Sequence, residues 1–96
     1  MNDIMSYRVF KDKRVEKYLD NNSDNIELIE RIEKKILDLS KNPYLCAEDS
    51  FKSRKCPKCN KTRVGDYRII YHISKRAKIV ELIDIGPRKN IYKKWD

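Results

Sequence analysis

RVGDYRIIY, residues 63–71, places a two-residue turn between two short segments of cationic and apolar residues. This pattern predicts a β-hairpin. Gly65 and Asp66 fit the two central positions of a type II′ turn, in which only glycine takes a positive φ at the first position without strain. A two-residue turn also fixes the register of the strands, so that Arg63 lies opposite Arg68.

The predicted register brings two arginines face to face, and continuing it along the strand puts Lys61 on the same face. Like charges directly opposite each other on a sheet destabilise the pair. A shared anionic ligand would remove this penalty, so the stretch predicts an anion-binding site. The alternative is that Arg63 and Arg68 are solvated, or that one of them forms a weak surface ion pair with Asp66 or Asp84.

A chain of 96 residues can bury one modest core, and we expect residues 1–96 to form a single domain. No apolar run approaches the ~20 residues of a membrane span. The N-terminal sequence lacks the basic and apolar regions of a signal peptide. Three cysteines, an odd number, argue against the disulfide framework of small secreted domains. The sequence therefore predicts a cytoplasmic protein with no membrane contact.

Positive charge is concentrated in the second half of the chain. Residues 1–50 carry nine Lys or Arg and eleven Asp or Glu, a net charge of −2. Residues 51–96 carry fourteen and four, a net charge of +10. Such a surface favours phosphate backbones through counterion release, and equally an acidic protein or an anionic lipid. Charge therefore selects a class of partner but no reaction.

Upstream of the hairpin the sequence predicts one strand and two helices. Residues 7–11, YRVFK, are typical of a strand, and a helix is predicted from residue 13 to about residue 19. Asp24 and Glu27 form a capping pair for a second helix. Pro43 ends that helix, because the residue before a proline disfavours the α region. The expected apolar stripe of the second helix consists of Ile26, Ile29, Ile32, Ile36 and Leu39.

The remaining elements complete an α+β fold. In the second hairpin strand, Ile69, Tyr71 and Ile73 are expected to face the helices. Residues 79–85, IVELIDI, are apolar enough for a central strand buried on both faces, and residues 88–95 form a basic tail of one or two helical turns. The order is β-α-α-β-β-β, a small antiparallel sheet with two N-terminal helices packed on one face and a short C-terminal tail or helix. The other sheet face is expected to be free for function.

Together these features resemble the RelE/ParE superfamily, the toxins of type II toxin-antitoxin systems, and are closer to the RelE type. The resemblance covers nearly the whole chain, including Asn-Pro at residues 42–43, Phe-Lys-Ser at 51–53, RVGDYRIIY, and GPRKNIY at 86–92. It implies a RelE-like fold and a ribosome-dependent endoribonuclease, an mRNA interferase. Such toxins enter the ribosomal A site and cut mRNA without a metal, using the 2′-hydroxyl as nucleophile, which inhibits translation. A ParE-like inhibitor of DNA gyrase and a non-catalytic RNA-binding member stay open as alternatives.

The resemblance also implies a catalytic set, which consists of Lys61, Arg63, Arg68, Arg88 and Tyr92. Attack by a 2′-hydroxyl needs proton transfer and stabilisation of the charge on the phosphorane, which guanidinium groups supply bidentately. We expect Arg68 and Arg88 to stabilise this charge and Lys61 to act as general base. Three roles are open for Tyr92: it stacks on a base, it assists proton transfer, or it anchors the tail on the core with Trp95.

Further cations are expected to contact the RNA backbone rather than the reacting atoms. These are Lys52, Arg54, Lys55, Lys58, Lys89, Lys93 and Lys94. The resemblance implies the ribosome, mRNA and a cognate acidic antitoxin as partners. The antitoxin would lay an extended or helical segment over the basic sheet face and displace the C-terminal tail. No cofactor is expected.

The cysteines allow a second interpretation of the same hairpin. Cys56-Pro-Lys-Cys59 is half of a zinc-knuckle pattern, and Cys46 and His72 would complete a Cys3His set. The hairpin register places His72 opposite Cys59. Because a second CxxC is missing, a redox-sensitive dithiol or reduced cysteines that cap the hairpin loop are the favoured alternatives.

Overall fold

The computed structural model describes residues 6–48 and 51–95. The strands are β1 Arg8–Lys11, β2 Cys59–Val64, β3 Tyr67–Ser74 and β4 Ile79–Pro87, and the helices are α1 Lys13–Asn21, α2 Ile26–Lys41 and α3 Arg88–Trp95. The α+β class and the order of elements are confirmed, and the basic tail forms a helix of eight residues. None of the helices in the described ranges has the length and apolarity needed to cross a membrane.

The four strands form one open sheet in the order β1-β4-β3-β2, with β4 in a central position as its apolar sequence predicts. β2, β3 and β4 are antiparallel neighbours, but β1 pairs with β4 in parallel, so the sheet is mixed rather than antiparallel throughout. The connection through α1 and α2 returns the chain to the end of the sheet where β1 began, so β1 and β2 run the same way. Two hairpins then bring β4 back to that direction, as a parallel pair with a crossover connection requires.

The hairpin between β2 and β3 agrees with the prediction at every pair, from Val64 opposite Tyr67 outward. Gly65 has a φ of 57°, whereas Asp66 does not have a positive φ. A positive φ at the first central position and not at the second agrees with a type II′ turn. The turn also lies close to α2, because a Cβ at Gly65 would be 2.7 Å from Nη1 of Arg31 and the arginine side chain would have to move. The guanidinium of Arg31 therefore packs directly on the turn.

α2 begins one residue later than the sequence predicted. The side chain of Asn25 accepts a hydrogen bond from the backbone N–H of Leu28 at 3.3 Å, so Asn25 is the cap and Asp24 is not. Ile26 lies in the first turn and is 67% exposed, so its place in the predicted apolar stripe was wrong, and Leu28 takes it. The buried face of α2 consists of Leu28, Ile32 and Leu39, with Ile36 packed against it.

The main core lies between α1, α2 and one face of the sheet. Ile69, Tyr71 and Ile73 of β3 point into it, as predicted. Tyr71 is fully buried, its hydroxyl donates a hydrogen bond to the carbonyl of Pro43 at 2.6 Å, and burial raises its pKa. Each large side chain buried in this way stabilises the fold by roughly 1.5–3 kcal/mol.

The opposite face of the sheet is partly covered, which corrects the expectation that it is free. α3 packs on it through Ile91 and Trp95, which share one side of the helix because they are four residues apart. The second cluster consists of Cys59, Ile70, Ile91 and Trp95, with Phe51, Cys56 and Ile83 packed against it. Lys61 and Arg68 lie on the same sheet face, so the cationic residues have an apolar wall beside them.

β4 contains a bulge. Ile70 pairs with Asp84 and Tyr71 pairs with Leu82, which leaves Ile83 as an extra residue. In a regular strand Leu82 and Asp84 would point to the same side, into the main core. The extra residue lets Leu82 stay in that core while Asp84 turns toward α3.

Candidate active site

Lys61 is a buried lysine whose ammonium group is enclosed by two aromatic rings and one carboxylate. It is 2% exposed. Its Nζ lies 4.0 Å from the centroid of the Tyr92 ring, 5.0 Å from that of Phe51 and 3.7 Å from Oε1 of Glu48. A buried ammonium is strongly unfavourable unless it is paired. Glu48 and the two ring faces explain how the fold tolerates Lys61 here.

Glu48 is the site residue that sequence reasoning missed. Its backbone N–H donates to the carbonyl of Lys61 at 2.8 Å, which fixes it beside β2. Its carboxylate lies between two cations, with Oε2 at 3.2 Å from Nε of Arg68. Glu48 belongs to an irregular segment, so no periodicity marked it. The signal available was its position as an acid immediately before a strongly cationic stretch.

Arg68 is held in place by the backbone of the hairpin. It is 8% exposed, and its Nη1 donates to the carbonyls of Gly65 at 3.1 Å and Tyr67 at 2.9 Å. Its Nε pairs with Glu48 by charge, but within the described residues no acceptor is aligned to form a hydrogen bond with it. Arg68 is therefore a fixed guanidinium whose buried Nε is an unused donor.

The facing arginines are compensated from within the molecule. Arg63 is exposed, and its Nε donates to the carbonyl of Gly65 at 3.3 Å, the same oxygen that accepts from Arg68. Glu48 supplies the negative charge on the Arg68 side. The repulsion between the two arginines therefore does not by itself require an external anion, and the acid that pairs with Arg68 is neither of the two aspartates considered from the sequence.

α3 brings Arg88 and Tyr92 to the same place. The backbone N–H of Arg88 donates to the carbonyl of Asp66 at 3.0 Å, which joins the start of α3 to the hairpin turn. The guanidinium carbon of Arg88 lies 5.4 Å from the centroid of the Tyr92 ring. Hydrogen bonding to Lys61, and after it to Arg88, favours the phenolate and lowers the pKa of Tyr92. A tyrosine of this kind is suited to proton transfer.

Four of the predicted catalytic residues thus form one chain of contacts. The guanidinium of Arg88 and the ammonium of Lys61 both form cation–π contacts with the Tyr92 ring. Glu48 forms ion pairs with both Lys61 and Arg68. Arg63 lies at the exposed edge of this group. Because the hairpin and α3 supply different members, the site exists only when α3 is packed on the sheet.

The predicted RNA-contacting residues are all exposed and flank the site on two elements. Those on the segment before β2 are Lys52, Arg54, Lys55 and Lys58, and those on α3 are Lys89, Lys93 and Lys94. Lys94 also forms an ion pair with a buried acid, because its Nζ lies 3.1 Å from the carboxylate of Asp84.

The structure does not assemble the zinc site considered from the sequence. Cys56 and Cys59 are joined as a disulfide, with their Cα atoms 5.3 Å apart, a normal separation for such a bond. Cys46 packs on the main core, whereas Cys59 belongs to the cluster under α3 on the other side of the sheet. His72 lies opposite Cys59 as predicted. No group of three metal-ligating side chains occurs within the described ranges. The dithiol interpretation agrees with this geometry.

Known proteins are similar to this chain in sequence pattern and in fold. Residues 7–92 match the family described as the ParE toxin of the type II toxin-antitoxin system parDE. No curated protein sequence matches the chain significantly.

Solved structures of RelE toxins share the fold. The toxin in the RelBE2 toxin-antitoxin complex from Mycobacterium tuberculosis has a TM-score of 0.72 and 22% identity, over 92% of this chain and 98% of that chain. A double arginine-to-alanine mutant of the Escherichia coli toxin RelE in the free state has a TM-score of 0.68 and 22% identity, over 93% of each chain. The archaeal RelE-RelB complex from Pyrococcus horikoshii gives 0.67 and 24%, over 88% of this chain and 97% of that chain. The predicted RelE-like fold is thereby confirmed.

Proposed function

This chain belongs to the ParE toxin family of type II toxin-antitoxin systems, and we propose that it is a RelE-type toxin that cleaves mRNA in the ribosomal A site. Its substrate would be the ribosome-bound message, and its location therefore the cytoplasm. The observation that carries the proposal is the buried arrangement of Lys61 and Arg68 around Glu48, joined by Tyr92 and Arg88 from α3.

The cationic groups suit the charge that develops during phosphodiester cleavage. Arg68 is fixed by two backbone carbonyls, and its buried Nε is an unused donor. A phosphate oxygen that displaced the Glu48 carboxylate would meet this donor together with the ammonium of Lys61. Preorganised, charge-assisted hydrogen bonds of this kind are the interactions that stabilise a phosphorane. Arg88 would contact the same phosphate from α3.

The reaction needs two proton transfers. The 2′-hydroxyl gives up its proton as its oxygen bonds to phosphorus, and the 5′-oxygen takes up a proton as its bond to phosphorus breaks. The carboxylate of Glu48 can accept the first proton, and the hydroxyl of Tyr92, whose pKa is lowered by Lys61 and Arg88, can donate the second. Lys61 is ion-paired with Glu48, so we assign it to charge stabilisation in place of the general-base role expected from the sequence.

An acidic antitoxin is the proposed protein partner. Two of the three solved structures described above are complexes of a toxin with its antitoxin. In this chain the segment before β2 and α3 expose seven cations beside the site. Charge complementarity would steer an acidic segment to this surface, where it would cover the site.

Inhibition of DNA gyrase is the second candidate, because the matching family is that of ParE toxins. By resemblance, ParE-like members lack the cationic catalytic set. This chain retains Arg68 and Arg88, which favours RNA cleavage. A gyrase supercoiling assay with the purified protein separates the two functions.

The decisive experiment is translation in vitro with primer extension on the message. We expect cuts at the A-site codon with the wild type and a loss of about 100- to 1,000-fold in cleavage with Arg68→Ala, the effect of removing one transition-state donor. Arg76→Ala is the matched control, since Arg76 is an exposed arginine in the turn between β3 and β4. No A-site cuts with the wild type, together with inhibition of supercoiling, would replace the proposal by its alternative.

A further inference from the structure

We propose that Asp84 is a positioning residue that docks α3 through Trp95 and Lys94, and thereby holds Arg88 and Tyr92 beside Lys61. The catalytic consequence rests on the proposed function. The docking role does not, because it concerns contacts among described residues alone.

Asp84 is a buried carboxylate with partners on three elements. It is 5% exposed. Its Oδ2 accepts a hydrogen bond from the indole Nε1 of Trp95 at 2.8 Å and lies 3.1 Å from Nζ of Lys94. Nη1 of Arg14 on α1 is 3.9 Å away, and Oδ1 accepts from the backbone N–H of Ile85 at 2.8 Å. Oδ2 thus contacts two residues of α3 and one residue of α1.

The bulge in β4 aims this carboxylate at α3. Without the extra residue at Ile83, Asp84 would share the side of Leu82 and enter the main core, away from Trp95 and Lys94. An interruption of the central strand is unfavourable, since it disrupts the ladder of hydrogen bonds. The hydrogen bond between Asp84 and Trp95, which the bulge makes possible, accounts for this interruption.

α3 needs such an anchor because it is too short to be a stable helix on its own. An isolated helix of eight residues does not persist in water, so packing must hold it. Its buried residues are Ile91 and Trp95, and Ser53 donates a further hydrogen bond to the carbonyl of Trp95. Loss of the Asp84 contacts would therefore shift the balance between the docked and undocked helix.

The charges on α3 support the same role for Asp84. α3 carries four cations and lies on a sheet face that already holds Lys61 and two arginines, so docking brings like charges together. Residues 51–96 contain four acids, and Asp84 is the buried one of the three that the structure describes. Its negative charge offsets part of that repulsion at the point where the end of α3 meets the sheet.

The docked position of α3 determines where Tyr92 and Arg88 lie in the site. Tyr92 lies three residues before Trp95 and thus on the adjoining part of the same turn, with its ring 4.0 Å from Nζ of Lys61. Arg88 lies one turn further back. If α3 left the sheet, Lys61 would lose this ring, and Tyr92 would lose the cations that favour its phenolate.

Trp95 makes docking measurable, because it is the single tryptophan of the chain. We expect Asp84→Leu to increase quenching of the Trp95 fluorescence by acrylamide and to shift its emission to the red. The ultraviolet titration of Tyr92, identified by comparison with Tyr92→Phe, should move up toward the ordinary tyrosine range. Glu81→Gln is the matched control, because Glu81 is an exposed acid on the same strand. It should leave both signals unchanged.

Cleavage kinetics then test positioning. We expect Asp84→Leu to lower kcat about 100-fold with KM little changed, since misplaced groups act in the transition state. Asp84→Asn keeps an acceptor for Trp95 but loses the charge for Lys94, and we expect a loss of about tenfold. It also serves if Asp84→Leu does not fold, because the amide has the same shape as the carboxylate.

The two proposals can fail separately. A folded Asp84→Leu protein with quenching of Trp95 and titration of Tyr92 both as in the wild type would overturn the docking role, and so would an Asp84→Asn protein whose kcat equals that of the wild type. A wild type that cuts no mRNA would overturn the proposed function and leave the fluorescence and titration tests of docking intact.

Discussion

Replacing Glu48 by glutamine is predicted to lower the free energy of unfolding by about 3 kcal/mol. The carboxylate lies 3.7 Å from Nζ of Lys61 and 3.2 Å from Nε of Arg68, and both cations are at least nine-tenths buried. At an effective dielectric constant of about 20, each pair attracts by roughly 5 kcal/mol. The net loss is smaller, because the glutamine amide keeps an acceptor oxygen and Glu48 is itself 27% exposed. Breaking a buried ion pair costs about 3–5 kcal/mol, and we take the lower end.

The assay is urea unfolding followed by circular dichroism, with thermal unfolding as a second measurement. A loss of about 3 kcal/mol corresponds to a fall in Tm of about 15 °C for a domain of this size. Glu27→Gln is the matched control, because the Arg31–Glu27 pair has the same 3.2 Å separation but side chains that are 56% and 78% exposed. That variant should lose less than about 0.5 kcal/mol.

A double-mutant cycle with Lys61→Met assigns the effect. In the Lys61→Met background the cost of Glu48→Gln should fall by about 1 kcal/mol or more, since one of the two cations is gone. An undiminished cost in that background, or equal costs for Glu48→Gln and Glu27→Gln, would show that Glu48 is not the counterion of the buried cations.

The same substitution should act in the opposite direction on RNA binding. Glu48 occupies the place between Lys61 and Arg68 that we assign to a phosphate oxygen. Removing its charge should tighten binding of single-stranded RNA and steepen the salt dependence by about 0.7, the contribution of one neutralised phosphate. A protein that is less stable yet binds RNA more tightly would be hard to explain by partial unfolding.

Three further predictions concern other parts of the molecule. In ultraviolet titration, Arg88→Gln should raise the pKa of Tyr92. Because that pKa is lowered on folding, the associated stabilisation is fully present above the unfolded-state value of about 10 and is lost as pH falls through the folded-state value; a Tyr92→Phe protein that showed the same alkaline gain would contradict this. Cys56→Ser should lower the free energy of unfolding by about 2 kcal/mol, because the disulfide closes a loop of four residues in the unfolded chain. In urea unfolding, a reductant should lower the stability of the wild type by a similar amount and leave that of the variant unchanged. Leu28→Ala should cost about 2–5 kcal/mol and Ile26→Ala under about 0.5 kcal/mol, and equal effects would mean that the helix phase inferred from burial is wrong.

Local rules predicted the hairpin and the order of elements correctly. A two-residue turn with glycine at its first central position admits one register, so Arg63 opposite Arg68 and Lys61 on the same face followed from the residues between them. The helices were less exact at their ends. Asn25 and Asp24 are both good caps, and which one caps α2 depends on the turn that precedes it.

The candidate site could be predicted only in part. The cations on β2 and β3 followed from strand alternation, and Arg88 and Tyr92 followed from the family resemblance. Glu48 did not, because it lies in an irregular segment whose path is fixed by a hydrogen bond to Lys61, a residue remote in sequence. The disulfide between Cys56 and Cys59 separated the cysteines from the zinc set for the same kind of reason, since Cys46 follows α2 to the other side of the sheet.

Residue order alone was enough to specify the elements whose contacts are local, which are the hairpin, its register and the helices with their periodic apolar faces. Three features depended on the folded chain, namely the parallel partner of β1, the bulge that turns Asp84 toward α3, and the carboxylate between Lys61 and Arg68. The difference lies in the range of the interactions. A turn or a helix is selected by residues within a few positions of one another, whereas a buried charge is stable only beside a partner that the folded chain brings to it from elsewhere.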